Sequence, residues 1–177
     1  MARNVDRSLE RWLILGAAAV LLAVEVAASA DLRAILRATA RTSAAWFLLA
    51  FVARPLVVLG VARPGKWLLR NRRYLGLAMA ISHGGHLVAI VALARAEGRI
   101  FWDKVSTSTL VGGGFGYVLL AAMVATSWDG AQAWLGRRRW RALHLTGMWT
   151  FWLIFTLSYP PLLLAAGLRV WARRDIV

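Results

Sequence analysis

Three imidazoles, those of His83, His86 and His144, are the side chains in this chain whose type and setting could hold a metal. All three lie inside or at the mouth of long apolar segments, where lipid offers no hydrogen-bond partner. Each must therefore be satisfied by the protein or by a ligand. Neutral imidazole on a membrane helix is a common axial ligand of haem iron. The chain has no cysteine, so thiolate ligation, iron-sulfur clusters, disulfides and covalently attached haem are excluded. His83 and His86 share one helix face, and Gly84 and Gly85 between them remove side-chain bulk. Either a flat macrocycle approaches the backbone there, or a neighbouring helix packs closely while the histidines bond to serine or carbonyl groups.

The elements that position these residues follow from composition. Hydrophobic residues make up 60% of the 177 and charged residues only 17%, with the apolar residues gathered in blocks rather than stripes. That pattern defines an all-α, polytopic membrane helical bundle, here a single domain over 1–177. The net charge of +14 would suggest nucleic acid in a soluble chain. Here the basic residues sit between apolar blocks, where they meet lipid headgroups, and they mark topology rather than DNA binding.

The expected spans are Arg11 to Ser29, Ser43 to Val61, Arg72 to Ala94 and Thr109 to Ser127. Each has about 20 residues, enough for roughly 30 Å of hydrocarbon. A fifth runs from about Arg141 to Leu157, where Pro160 and Pro161 are expected to stop it. A short sixth apolar segment, Pro161 to about Ala172, completes a six-helix expectation. With six crossings, 15 Lys and Arg lie on the N-terminal side against 6 on the other, and 12 against 9 if the last segment does not cross. Both counts place the N-terminus in the cytoplasm.

His144 follows a basic run, Arg137-Arg138-Arg139-Trp140-Arg141, by about one turn. It could ligate a haem whose propionates meet those arginines, or it could sit at the interface solvated by headgroups. Trp149, Phe151, Trp152 and Phe155 could line a cofactor pocket, although aromatic residues in membrane helices more often pack or anchor at the interface. Glu25 lies deep in the first span and is expected to be protonated or paired with a basic group such as Arg54, with a proton or quinone role open to it. Arg54 beside Pro55 reads as a kink or a snorkelling side chain. Gly112, Gly113, Gly114 and Gly116 read most simply as close helix packing.

The run Arg72-Arg73-Tyr74-Leu75-Gly76-Leu77, His86 thirteen residues after Arg73, Thr126-Ser127, and the block from Trp134 to His144 together resemble the ferric-reductase-like transmembrane domain family. The resemblance covers about Thr42 to Ala172. Within the family it is greatest to the haem-binding, quinone-linked membrane subunit of the periplasmic methionine sulfoxide reductase system, whose Thr-Pro-Leu near the end of the second span is similar to Arg54-Pro55-Leu56 here. The resemblance implies that His86 and His144 are b-haem ligands and that electrons cross the bilayer to an acceptor outside. Family members carry a further histidine about thirteen residues after the one matching His144. This chain has Thr156, Leu157 and Ser158 there.

Depth also bears on the ligand pair. His86 lies roughly 20 Å into its span and His144 about 5 Å into a parallel one, at about 1.5 Å per residue. Axial nitrogens of one iron sit about 4 Å apart, so tilt or offset would have to remove about 15 Å. His83, one turn shallower than His86, is the other candidate ligand, in a place where family members usually have a different residue.

No Gly-rich phosphate loop follows a strand pattern, so electrons are expected from a quinol or a separate reductase. The leading expectation is a membrane b-type cytochrome-like subunit of the bacterial inner membrane, passing electrons to an extracytoplasmic redox partner protein. The alternative is a haem-free membrane scaffold or partner-binding subunit. A small transporter is disfavoured by the few intramembrane polar residues and the lack of an inverted repeat.

Overall fold

The computed structural model describes the backbone of residues 2–174 and the side chains of residues 8–159. Among the described residues every regular element is a helix: α1 Ala2–Ala27, α2 Leu32–Val58, α3 Ala62–Glu97, α4 Arg99–Lys104, α5 Thr107–Ala125, α6 Asp129–Leu135 and α7 Arg137–Arg174. The side chains of Arg3, Arg7, Arg169, Arg173 and Arg174, counted above as flanking charge, lie outside the described residues. Among the described residues three helices, α2, α3 and α5, are long and apolar enough to cross a membrane. The chain divides into two compact units, Met1–Ser106 and Thr107–Val177.

In the first unit α1, α2 and α3 run up, down and up. The α2 helix starts eleven residues before the apolar block that marked it in sequence. Its start is fixed by Asp31, whose carboxylate accepts from the Arg33 amide at 2.9 Å, while Ser29 Oγ accepts from the Asp31 amide at 3.0 Å. Capping of this kind satisfies donors that the first helical turn leaves open. The helix then runs through Pro55 and ends at Val58.

Small side chains let these three helices approach closely. Ala18 on α1, Ala50 and Ala53 on α2, and Ala78 on α3 are all nearly or fully buried, with Ile14, Leu68 and Leu75 filling the remaining space. Gly85 belongs to the same logic: a Cβ there would collide with Leu22 of α1. The close-packing reading therefore holds for Gly85, whereas Gly84 faces open space.

Several polar side chains are buried beside the apolar core, while large apolar side chains line the outside. Thr39, Ser43 and Ser82 are 0% exposed and Asn71 2%, while Trp12, Val20, Leu48, Val88 and Val118 lie outside. An apolar exterior with the hydroxyls turned inward is what lipid favours, because a hydroxyl facing hydrocarbon would have no partner.

Two ion pairs tie the ends of α3. Near its start, Arg70 donates to both oxygens of Glu10 on α1 at 2.9 Å, and the Asn71 amide adds a bond at 3.2 Å. At its far end Glu97 accepts from Arg33 on α2. Arg11 and Arg73 both lie over the ring of Tyr74, at 5.2 and 6.0 Å from its centroid.

In the second unit α5 packs on α7. A Cβ at Gly116 would sit 3.1 Å from Ile154 Cδ1, and one at Gly147 would collide with Met123. Gly116 thus fulfils the packing role expected of the α5 glycines, while Gly112, Gly113 and Gly114 face open space. Phe151 is the buried centre of this unit, whereas Trp149 and Trp152 are exposed. Gly136 joins α6 to α7 at φ 78 and ψ 146, a conformation close to glycine-only backbone.

One expectation is corrected. Pro160 and Pro161 do not stop the fifth span, because α7 continues through them as one helix to Arg174. Proline removes two amide donors and crowds the preceding turn, yet it bends rather than ends a helix when the surrounding ladder remains intact. The segment Pro161 to Ala172 therefore continues the fifth helix instead of folding back as a separate sixth.

The Glu10 tie yields a pH prediction. The Asn71 amide first, and then Arg70, hold the Glu10 carboxyl below its ordinary value of 4.5. A depressed native value means this tie stabilises the fold above the unfolded-state value and is lost as pH falls through the native one. Melting temperatures in detergent should fall more steeply for the wild type than for Glu10→Gln between about pH 6 and about pH 3. Parallel curves would show that the tie contributes nothing.

Candidate functional site

The two neighbouring histidines are positioned by hydroxyls on α2. Thr39 and Ser43 stand one turn apart on its buried face, and each donates its own proton to an α2 carbonyl: Thr39 Oγ1 to Ile35 O at 2.8 Å and Ser43 Oγ to Ala40 O at 2.9 Å. Their remaining lone pairs face α3. His86 Nδ1 lies 3.1 Å from Thr39 Oγ1 and 3.1 Å from the Leu36 carbonyl, and His83 Nδ1 lies 3.1 Å from Ser43 Oγ.

These bonds determine where the imidazole protons sit. A carbonyl can only accept, and both hydroxyl protons are committed to α2 carbonyls, so each Nδ1 is the donor. In the neutral ring the lone pair is then on Nε2, the nitrogen that a histidine offers to a metal while its other N–H is held by a carbonyl or hydroxyl. The two rings stack at 5.4 Å between centroids and 25° between planes. Because the rings stack one turn apart on a single helix, His83 and His86 would serve a bound haem as alternatives rather than as a pair.

Glu25 does not pair with Arg54 as expected. Its Oε1 accepts from the Thr42 hydroxyl, and Oε2 is buried without a hydrogen bond. Arg54 lies twelve residues further along α2, about 18 Å away along the helix axis. It is exposed there and repels Arg72. Ser82 Oγ and Trp46 Nε1 are likewise buried without a hydrogen bond. Orphaned polar atoms in a tight bundle are uncommon, and these sit on the same two helices that carry the imidazoles and their hydroxyl partners.

His144 is held differently, within the second unit. Its Nε2 lies 3.2 Å from Thr126 Oγ1, whose proton goes to Ala122 O at 2.7 Å, so Nε2 carries the hydrogen. Trp140 completes the arrangement: its Nε1 donates to Thr126 O at 2.9 Å, and its ring stacks on His144 at 4.2 Å. Thr126 thus latches the first two turns of α7 to the end of α5. The nitrogen that would ligate iron is spent on Thr126, and ligation through Nε2 requires that bond to be released.

The donor set as a whole fits a haem ligand at His86 and its neighbour His83, and fits one at His144 only after that exchange. No group of three or more His, Asp or Glu side chains is arranged as a metal site among the described residues. Sequence reasoning missed Thr39, Thr42 and Ser43 as the partners. Their spacing of three and four in an apolar helix was the available signal, since it places hydroxyls on one buried face.

The chain belongs to the ferric reductase like transmembrane component family, whose model matches residues 37–155. The matched region takes in all three histidines with Thr39, Ser43 and Thr126, and leaves out α1 with Glu25. No curated protein and no solved structure compared with the chain matches it.

The latch is testable by substitution. His144→Ala should cost about 1 to 3 kcal/mol in detergent unfolding, from the lost bond and the lost stacking on Trp140. Glutamine can place an amide donor near the Nε2 position, so His144→Gln should recover part of that loss. Equal losses in the two variants would show that the hydrogen bond to Thr126 is unimportant.

Proposed function

We propose that this chain is a membrane electron-transfer subunit that holds b-type haem through His86, with His83 as the neighbouring alternative and His144 as the candidate second ligand. The family and the apolar helices make it an integral membrane protein, and an electron-transfer role follows from that family. The observation that carries the haem reading is the Nδ1–H of His86, shared between Leu36 O and Thr39 Oγ1, which leaves Nε2 as the lone-pair nitrogen. A bound haem would supply one-electron chemistry.

The chain's own contribution is orientation and insulation. Leu36 and Thr39 fix the plane and tautomer of His86, Ser43 does the same for His83, and the apolar exterior keeps water from the imidazoles. Electrons are supplied by a quinol or a separate reductase and pass to an extracytoplasmic redox partner protein. The likeness to the membrane subunit of the methionine sulfoxide reductase system supports that direction. The proposed location is the bacterial inner membrane with the N-terminus in the cytoplasm, because the basic residues favour that side by 12 to 9 when the continuous α7 is read as one crossing.

The haem-free scaffold reading draws on the occupied Nε2 of His144 and the absence of a histidine at Thr156, Leu157 and Ser158. A visible spectrum separates the two. The protein purified in detergent should show a Soret band that shifts on reduction and is lost in His86→Ala. Thr39→Val should retain haem and raise its midpoint potential, because an imidazole relieved of a hydrogen-bond acceptor is a weaker donor to iron. Folded, colourless protein from haem-replete cells would decide for the scaffold.

A further inference from the structure

Some arginines of the chain are neutralised by an acidic partner. In the first unit Arg33 pairs with Glu97, Arg37 with Asp31 and Arg70 with Glu10. In the second, Arg137, Arg138, Arg139 and Arg141 are exposed and make no ion pair or hydrogen bond to a described residue. Asp129 is the one acidic residue between positions 107 and 159. Four guanidinium groups within five residues repel one another, and nothing in the described fold offsets that repulsion.

Their direction is set by the latch. Trp140 and His144 commit one face of the first turns of α7 to Thr126, which leaves the four arginines spread over the remaining arc. Beside them, Gly136 turns the chain from α6 into α7, and two large indoles stand out: Trp134 is 84% exposed and Trp128 64%. A basic run that merely faced water would have no use for exposed tryptophans. Indoles beside guanidiniums suit the boundary where acyl chains give way to phosphates.

We propose that the corner between α6 and α7 is a binding site for the phosphate groups of anionic phospholipids, held by Arg137, Arg138, Arg139 and Arg141, with Trp128 and Trp134 seated at the acyl boundary. The guanidinium fork matches phosphate oxygens in pairs, and a lipid-borne phosphate is held at the depth the indoles define. The inference rests on the chain being a membrane protein but is independent of haem. A colourless protein would still bind such lipids here, so the two readings fail separately.

Native mass spectrometry of the delipidated protein titrated with phosphatidylglycerol or phosphatidylcholine tests it. The wild type should bind phosphatidylglycerol preferentially. R137Q/R138Q/R139Q/R141Q should weaken that binding about ten-fold or more. The charge-matched control R41Q/R95Q/R99Q/K104Q should leave it within about two-fold of wild type, since the loss belongs to the site and not to net charge. Inorganic phosphate at millimolar concentration should not displace the lipid. If the quadruple variant fails to fold, R138Q/R139Q keeps half of the charge and should show an intermediate loss. Equal losses in the site variant and its control, unchanged binding in both, or displacement by free phosphate would each overturn the proposal.

Discussion

Every buried polar side chain in this bundle has to find its hydrogen bond inside the protein, because the exterior is hydrocarbon. That constraint explains why α2 and α3 face each other as they do. Thr39 and Ser43 return their protons to their own helix and present lone pairs to His86 and His83. The imidazoles are thereby met by hydroxyls and a carbonyl, and a neutral hydroxyl can be buried in lipid at far lower cost than a carboxylate. The same device recurs at Thr126, which donates within α5 and accepts from His144.

Among the described residues Glu25 is the costliest exception. One of its oxygens is bonded to Thr42 and the other has no hydrogen bond, in a helix that otherwise presents Ile14, Ala18 and Leu22 to its neighbours. Its cost is accepted next to the two helices that carry the imidazoles, where Ser82 Oγ and Trp46 Nε1 are also buried without a hydrogen bond. Polar atoms left unsatisfied in an otherwise well-packed bundle mark a place shaped by something other than stability.

Much of this was legible in the sequence. Apolar blocks separated by arginines announce membrane helices, and three imidazoles without cysteine narrow the ligand chemistry. What was hidden has identifiable causes. The early start of α2 was masked by Arg33, Arg37 and Arg41, which interrupt hydropathy but favour helix and follow the Asp31 cap. The continuity of α7 was hidden because Pro160 and Pro161 carry the strongest local stop signal, yet the helix runs through them to Arg174. Glu25 was matched to Arg54 by charge, whereas helical geometry brings Thr42 to it. Glycine function could not be sorted by composition: Gly85 and Gly116 meet neighbouring helices, and Gly84, Gly112, Gly113 and Gly114 do not.

The two ion pairs at opposite ends of α3 have a mechanical consequence. Glu10 grips Arg70 at one extremity and Arg33 grips Glu97 at the other, so a piston-like slide of α3 along its axis would stretch both clasps together. Rotation about the axis is opposed by the interlock of Gly85 with Leu22. The imidazoles therefore ride on a rod whose sliding and rotation are both resisted by its neighbours.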